Sequence, residues 1–402
     1  MTLFGWGTYL KLVMQHYDYI IAGGGAAGLH LALALERSSL RGAHILIIDK
    51  DTKQSNDRTW CFWHTEYDKP VPDHLLRKSW EVFSVIGDSG ELDIALSPYS
   101  YSMIRGLDFY TYAAEQIQKL PNCKRLVGTI DLIEDGGEKA TVVVDGTPYH
   151  GSYVFDSLII PGSFSIDPTR YHFLKQHFYG VFVRTTKPVF EPHKAGFFDF
   201  RVPQKGVMRF VYTLPSSETE ALVEYTLFSA DLLTADEYRN ELGNYVQGVL
   251  GLEAGDYEVL ESEEGVIPMS DYPFPRRGGE RILYTGTKGG RVKGSTGFAF
   301  HRIARDSEAI VRSLEEHGHP FDVPTPPPRY RTFDAMLLQI LYRHGELGAP
   351  IFEQLFRRNP IDRLLRFLNE ETSLREDIAI MASVPWWPFI RAWLRMHMTG
   401  HP

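Results

Sequence analysis

A glycine-rich turn near the start of the chain constrains the fold most. The run Met14–Ala22 predicts a buried strand, and the turn Gly23–Gly28 that follows it has the spacing G-x-G-x-x-G. A helix over Leu29–Arg37 and a second strand over His44–Asp49 come next. Strand, glycine turn, helix and strand in this order are typical of a dinucleotide-binding domain, in which a pyrophosphate lies at the helix N-terminus.

The same pattern predicts which residues contact the dinucleotide. The glycines let the backbone close tightly on a pyrophosphate, and an acid after the second strand can hold a ribose. Asp49 is that acid, 21 positions after Gly28. The predicted cofactor-binding residues of the turn are Gly23, Gly24, Gly25, Ala27 and Gly28. The turn alone leaves open which dinucleotide is bound and whether redox chemistry follows.

The composition is that of a globular protein from a reducing, cytosolic compartment. The 402 residues are enough for about two or three domains. The net charge of −9 argues against a nucleic-acid-binding protein, which would normally be basic. Cys61 and Cys123 are the two cysteines, so we expect neither a disulfide framework nor a metal site.

The first residues of the chain do not predict a signal peptide. The segment Met1–Leu12 is apolar and aromatic, but it lacks a basic region and a small-residue cleavage site. It is either an interfacial anchor or a product of an upstream start codon, with Met14 as the true start. We favour the second interpretation because the first strand begins so soon after Met14. No apolar run reaches about 18 residues, so no transmembrane helix is predicted.

The middle of the chain changes in pattern. Gln54–Trp63 is too mixed for a regular element and predicts a loop with aromatic anchors, and a helix is expected over Tyr101–Leu120. Strands over Trp80–Ile86 and Glu91–Leu96 predict a hairpin. Phe164–Val266 then shows repeated strand-like alternation with one helix, which predicts a mainly antiparallel sheet inserted as a second domain.

A second glycine cluster, Gly286–Gly297, follows a short predicted strand and precedes a helix. A nicotinamide enzyme needs one glycine turn, whereas a two-domain flavin enzyme uses a late one to bring a helix N-terminus to the isoalloxazine ring. That helix end favours negative charge and hence the anionic reduced flavin. We therefore predict FAD, with Gly286, Thr287 and Gly297 as further binding residues; the alternative is a flexible surface loop.

These features define an α/β fold class with a helical tail. An FAD/NAD(P)-binding, Rossmann-type, three-layer domain is predicted over residues 15–163 and 266–322. An antiparallel-sheet substrate domain is predicted as an insertion over residues 164–265. Residues 323–402, beyond a proline-rich linker, are predicted to form a C-terminal helical region.

Six motifs give the chain a resemblance to the flavin-dependent lycopene cyclases of bacterial carotenoid synthesis. The resemblance covers nearly the whole chain. The motifs are Asn56-Asp-Arg-Thr-Trp-Cys-Phe-Trp63, Met103-Ile-Arg-Gly106, Leu222-Val-Glu-Tyr-Thr226, Glu264-Gly-Val-Ile-Pro-Met269, Thr285-Gly-Thr-Lys-Gly-Gly290 with Ser295-Thr-Gly297, and Phe367-Leu-Asn-Glu-Glu-Thr-Ser-Leu374. Related flavoproteins have Gly-Asp in the late glycine motif, where this chain has Gly286-Thr287.

The resemblance implies a lycopene β-cyclase, an isomerase-class intramolecular lyase. Such an enzyme converts the linear ψ end groups of lycopene to β-ionone rings, via γ-carotene to β-carotene. An acid protonates the terminal double bond, the cation closes a six-membered ring, and a ring proton is lost. Reduced FAD, maintained by NAD(P)H, would stabilise the cations electrostatically without net redox.

The resemblance favours Glu224 as the catalytic acid. Strand alternation places Leu222, Glu224, Thr226 and Phe228 on one face, although the sequence leaves open which face lines a cavity. Apolar neighbours would raise the pKa of this carboxyl by desolvation and keep it protonated. The alternative is a structural glutamate with satisfied hydrogen bonds. Glu370 and Glu371 are a weaker rival, because they have the pattern of exposed helix or capping residues.

Several other side chains are candidates for the cofactor or substrate site. Arg105, at the start of a helix, either reaches the cofactor or forms a surface salt bridge, and Asp57 and Arg58 either pair near the flavin or stabilise their own loop. Aromatic rings that either line a polyene tunnel or pack in the core are Trp60, Phe62, Trp63, Phe210, Tyr212 and Tyr225.

A membrane-dissolved hydrocarbon substrate would bring the enzyme to the bilayer. Val384–Met396 mixes tryptophans, apolar residues and two arginines, which suits an interfacial segment; the alternative is a helix docked on the core. We expect a cytoplasmic protein that is peripherally associated with the inner face of the membrane.

Two other classes of function stay open. One is an FAD-dependent oxidoreductase or monooxygenase acting on an isoprenoid or polyprenyl lipid, and the other is a non-catalytic flavin- or lipid-binding protein. Glu224 separates the first of these from a cyclase, because a redox enzyme needs no buried acid. The ring type, the number of ends cyclised, the choice of NADH or NADPH and the oligomeric state are left open.

Overall fold

A computed structural model describes residues 16–159 and 166–399 of the chain. The expectations for Met1–Leu12 and for the domain boundary at residues 163 and 164 lie outside the described residues. Most of the remaining expected elements fall within the described residues.

The described elements, in chain order, are the following. The strands are β1 His16–Ala22, β2 Ile45–Asp49, β3 Thr59–His64, β4 Lys78–Trp80, β5 Val82–Gly87, β6 Gly90–Ala95, β7 Ser100–Arg105, β8 Cys123–Val127, β9 Ile130–Asp135, β10 Ala140–Val144, β11 Thr147–Asp156, β12 Phe173–Thr185, β13 Lys194–Asp199, β14 Met208–Pro215, β15 Glu220–Ser229, β16 Tyr257–Ser270 and β17 Ile282–Tyr284. The α-helices are α1 Ala26–Glu36, α2 Gly106–Ile117, α3 Ala235–Gly248, α4 Phe300–His317, α5 Pro328–Arg343, α6 Gly348–Arg358, α7 Ile361–Leu368, α8 Leu374–Ser383 and α9 Trp386–Thr399.

The first sheet is the predicted dinucleotide-binding layer. Its strand order is β8-β2-β1-β11-β10-β9, with β17 also beside β11. β1 pairs in parallel with β2 and β11, while β9, β10 and β11 form an antiparallel meander. Ile20 and Ile21 on β1 are both buried because layers cover both faces of the sheet. The Rossmann-type, three-layer prediction is confirmed.

The second sheet has the order β16-β12-β15-β14-β13-β5-β6. Its pairs are antiparallel except for the parallel pair β13 and β5. Helix α3, begun by a reciprocal Thr234–Glu237 capping box, covers one face with Tyr245 and Val246. Helices α5 and α6 cover the other face. The predicted antiparallel sheet and hairpin both form, and the hairpin β5–β6 extends this sheet.

A third, smaller sheet corrects two expectations. Thr59–His64, expected as part of a loop, is β3 and pairs with β7 in the order β3-β7-β4. The helix expected from Tyr101 begins at Gly106, because Ser100–Arg105 is β7. Both segments mix polar and aromatic residues, so their strand structure depends on pairing with each other rather than on local pattern.

The C-terminal region is helical, as predicted. Helix α5 begins with a proline in its first turn, and α8 begins with a Ser373–Glu376 capping box. Helix α9 packs against α5 through Ala392 and Met396. No helix within residues 16–159 and 166–399 has the length and apolar character needed to cross a membrane.

Candidate active site

The two glycine clusters meet at the N-terminus of α1. A Cβ on Gly28 would lie 2.0 Å from the carbonyl oxygen of Gly23, so only glycine lets the helix follow the turn this closely. A Cβ on Gly286 would lie 2.8 Å from the Cβ of Ala27. The late glycine loop therefore touches the first turn of α1, and the two sequence motifs form one site.

Asp49 fixes the shape of the first glycine turn. Its Oδ2 accepts a 2.6 Å hydrogen bond from the backbone N–H of Gly24, and its Oδ1 accepts one of 2.8 Å from Asp51. Gly23, with a left-handed φ of +107°, lies against Ser157 at the end of β11. Asp49 and Ser157 therefore pack against one side of the turn, and Gly25 faces open space on the other side.

A cavity of about 530 Å³ extends from this meeting point. Residues predicted to bind the cofactor that line it are Gly25, Ala27, Gly286, Thr287 and Gly297. Gly25 caps α1 and no side chain caps that helix end, so its first N–H groups are left for another acceptor. The volume is typical of a ligand or cofactor site.

Two buried polar atoms at the cavity have no hydrogen-bond partner among the described residues. They are Oε1 of Gln176 and Oγ1 of Thr296, and both side chains line the cavity. Buried polar atoms are normally paired, so these two are suited to a polar ligand such as a flavin ring. Lys288, ion-paired with Asp156 at the end of β11, ties the late loop to the first sheet.

Glu224 lies in the wall of the same cavity. It is 8% exposed, and its Oε1 accepts a 3.0 Å hydrogen bond from the hydroxyl of Thr226. Leu222 and Phe228 pack on the cavity side of β15, while Val223 and Tyr225 pack toward α3. Burial, and then the negative charge of Glu263, raise the pKa of Glu224 well above its usual range. The site therefore favours the neutral, protonated form of this carboxyl.

Glu263 on β16 is a site residue that the sequence analysis missed. It lines the cavity, accepts a 2.6 Å hydrogen bond from the hydroxyl of Thr59, and is hydrogen-bonded to Glu224. The signal in the sequence is weak, because Glu261, Glu263 and Glu264 form one acidic run in which nothing marks a single member. That Glu263 lies near Glu224, across the intervening strand β12, follows only from the strand order.

The other charged candidates, Arg105, Asp57 and Arg58, differ in whether they line the cavity. Nη2 of Arg105 is 3.8 Å from Oε2 of Glu261, and the arginine is not among the residues that line the cavity. Asp57 and Arg58 line the cavity and pair at 3.0 Å, with the hydroxyl of Tyr110 donating to Asp57 at 2.7 Å. The structure thus gives Arg105 a salt bridge, and its cofactor role stays a prediction.

The aromatic candidates divide between cavity and core. Trp60 and Tyr212 line the cavity. Those that pack in core clusters are Phe62, Trp63, Phe210 and Tyr225. Trp60 also contacts Phe300 at the start of α4 in a tilted arrangement, with ring centroids 4.9 Å apart. Phe298 adds another aromatic side chain to the wall.

The side chain of the rival acid Glu370 is only 9% exposed, contrary to its expected exposure. It is ion-paired at 3.0 Å with both Lys293 and Arg302, and these cations lower its pKa despite its burial. The expectation was wrong because Lys293, within the late glycine cluster, is distant in sequence. Glu371 is exposed and paired with Arg305. Glu370 is therefore ionised and suited to holding the late loop, not to donating a proton.

Solved structures of known proteins share this fold. The chain is similar to a geranylgeranyl bacteriochlorophyll reductase-like protein from Thermoplasma acidophilum, with 12% identity, coverage of 96% of this chain and 100% of that chain, and a TM-score of 0.59. A flavin-dependent brominase gives 13% identity, 95% and 100% coverage, and a TM-score of 0.60. A flavoprotein/dehydrogenase from Cytophaga hutchinsonii gives 12% identity, coverage of 96% of this chain and 100% of that chain, and a TM-score of 0.58. The fold is thus one that flavin-dependent enzymes use.

A protein-family model that matches most of the chain identifies its family. The model described as lycopene cyclase protein matches residues 18–394, and the chain belongs to that family. No curated protein sequence matches the chain significantly. The resemblance carried by the six motifs is therefore confirmed at the level of the family.

Proposed function

We propose that the chain is an FAD-dependent lycopene β-cyclase that forms β-ionone rings from the ψ end groups of lycopene, via γ-carotene to β-carotene, with no net redox change. The observation that carries this proposal is a buried carboxyl group with a raised pKa, Glu224, in a cavity that also reaches both glycine clusters. An acid kept neutral by burial is what protonation of an alkene requires.

Glu224 is the proton donor in the proposed reaction. Its proton goes to the terminal double bond of the end group, and the tertiary cation that forms is attacked by the neighbouring double bond. A six-membered ring closes, and loss of one ring proton gives the β double bond, so that the protons gained and lost balance. Trp60 and Tyr212 line the cavity, where their aromatic rings would stabilise positive charge.

The residues present fit a flavin dinucleotide. The turn Gly23–Gly28 and the free N-terminus of α1 would hold the pyrophosphate. Asp49 follows the second strand, as a ribose-binding acid does, and would hold the ribose, although its carboxylate accepts from the backbone of the turn and is not among the residues that line the cavity. Gly286, Thr287 and Gly297, with the unpartnered Gln176 Oε1 at the last of them, would contact the ring region. When bound in its reduced form, kept reduced by NAD(P)H, the flavin supplies negative charge that stabilises the cations.

The substrate also implies contact with a membrane surface. Large apolar side chains are exposed on α8 and α9, namely Leu374, Ile378, Trp386, Trp387, Ile390, Trp393 and Leu394. Arg375, Arg391 and Arg395 lie exposed on the same two helices. Apolar residues with neighbouring arginines suit the headgroup region of an anionic bilayer, so we assign this face to peripheral association with the cytoplasmic leaflet.

Expression in bacteria that accumulate lycopene tests the proposal. We expect β-carotene from the parent chain and linear pigment from Glu224→Gln, with FAD binding retained in the variant. Retention of linear pigment by the parent chain would contradict a cyclase. A hydrogenated or oxygenated polyprenyl product would instead support the alternative, an FAD-dependent oxidoreductase or monooxygenase.

A further inference from the structure

Gly180 creates the space in which two glutamates meet. On β12 it is the cross-strand partner of both Glu224 on β15 and Glu263 on β16. A Cβ at this position would lie 3.0 Å from Cδ1 of Leu222 and 3.2 Å from Cβ and Cγ of Glu224. Side chains two strands apart are normally separated by the residue between them. The missing side chain lets the carboxyl groups approach each other over the central strand.

The hydrogen bonds around the pair give its members different protonation states. Thr59 donates to Glu263 and thereby favours the carboxylate form of this residue. Burial raises the pKa of both glutamates, most strongly that of Glu224. Two adjoining carboxyl groups in a buried site share one proton. Glu224 therefore holds the proton and donates it in a hydrogen bond to Glu263.

Three neighbouring titratable groups at this end of the cavity favour their neutral forms. Burial raises the pKa of the Cys61 thiol and of the Tyr101 and Tyr212 phenols. Glu261, the acidic neighbour on β16, contributes a further negative charge that raises the pKa of Glu263. Glu263 lines the cavity and is the carboxyl group hydrogen-bonded to Glu224, so it is placed to act as an oxygen base beside the acid.

We infer that Glu263 is the base that removes the ring proton after cyclisation and returns it to Glu224. This inference rests on the proposed function. The C–H bond of the ring cation breaks, its electron pair forms the ring double bond, and the proton passes to the Glu263 carboxylate. The proton then crosses the hydrogen bond to the Glu224 carboxylate left by the first step. Both carboxyl groups return to their starting states without any oxidant or reductant.

Glu263→Gln tests this role. Glutamine keeps the size of the side chain and can still accept from Thr59, but it cannot take up the proton. We expect turnover to fall about 100-fold, the usual contribution of a general base. We also expect the remaining product to contain rings with a displaced double bond, because the base position decides which proton leaves the cation. Chromatography of the pigments measures both effects, and FAD binding should be unchanged.

The matched control is Glu258→Gln on the same strand, where the glutamate is exposed and paired with Arg184. It should match the parent chain in rate and ring type. Parent-like turnover and ring type in Glu263→Gln would overturn the inference while leaving the proposed function intact. Absence of any ring from the parent chain would overturn both.

Gly180→Ala gives a second test that keeps both carboxyl groups, for the case that Glu263→Gln does not fold. The added methyl group would press on Leu222 and on the Glu224 side chain and so shift this carboxyl relative to Glu263, and we expect turnover to fall at least about tenfold. Gly243→Ala is the control, since a Cβ there meets nothing within 4 Å among the described residues. Unchanged turnover in Gly180→Ala would overturn the inference.

Discussion

The buried carboxyl group of Glu224 makes the free energy of unfolding depend on pH. Because burial and the charge of Glu263 raise its pKa, the folded chain keeps a proton that the unfolded chain releases above about pH 4.3. The free energy of unfolding therefore falls as pH rises from there toward the folded pKa. We expect Glu224→Gln, which stays neutral, to raise Tm relative to the parent, with a difference that grows between about pH 5 and pH 8.

Thermal denaturation across this pH range checks the prediction. The exposed Glu258→Gln should give a Tm difference that does not grow with pH in the same way. A Glu224→Gln protein that is less stable than the parent at pH 8 would show that this glutamate is a structural residue with a stabilising ion pair.

At the scale of single residues, one member of the carboxyl pair Glu224 and Glu263 could be predicted from the sequence. Glu224 is identified by its motif and by the alternation of its strand. Glu263 is not, because its partner is 39 positions away and the strand between them belongs to neither segment. Glu370 was assigned to the surface for a similar reason, since its cation Lys293 is distant in the chain.

The contact between helix α1 and the late glycine loop determines how well the cofactor site forms. Gly286 has a left-handed φ of +57° and touches Ala27. We expect Gly286→Ala to weaken FAD binding at least about tenfold and to lower the free energy of unfolding by about 1 kcal/mol, because alanine is strained in this conformation. Flavin fluorescence titration and urea denaturation measure the two effects.

Gly251→Ala separates backbone strain from contact. Gly251 has a similar φ of +67°, but a Cβ there would meet nothing within 4 Å among the described residues. It should lose similar stability and keep parent-like FAD affinity. If both variants bind FAD equally well, the contact between the loop and α1 does not shape the site.

At the scale of elements, strong local patterns predicted the fold and mixed ones did not. The hydrophobic strand β1, the helix α1 after its glycine turn and the hairpin β5–β6 are where the sequence placed them. The strands β3 and β7 were missed, because neither has a clean alternation and each depends on the other for its hydrogen bonds. These two strands carry Thr59, Cys61 and Tyr101 into the cavity.

At the scale of the whole molecule, the exposed face of α8 and α9 predicts membrane association. Trp386 and Trp387 are 61% and 51% exposed, and Trp393 lies on the same helix. We expect changing these three residues to alanine to reduce binding to phosphatidylglycerol vesicles at least about tenfold, because large aromatic side chains contribute much of interfacial binding. Flotation with vesicles measures the bound fraction.

Tyr67→Ala is the control for that experiment, since Tyr67 is 98% exposed and lies outside these helices. It should bind vesicles like the parent. Parent-like binding by the triple variant would show that another surface meets the membrane. Unchanged secondary structure by circular dichroism would show that the variant is folded.

The ratio of rings formed to NAD(P)H consumed tests the central claim most directly. Purified protein with FAD is reduced under anaerobic conditions by a limiting amount of NAD(P)H and given lycopene in vesicles. Acid-initiated cyclisation by Glu224 predicts many β-rings for each NAD(P)H oxidised, and no rings from Glu224→Gln. One NAD(P)H consumed for each ring, or full activity in Glu224→Gln, would contradict it.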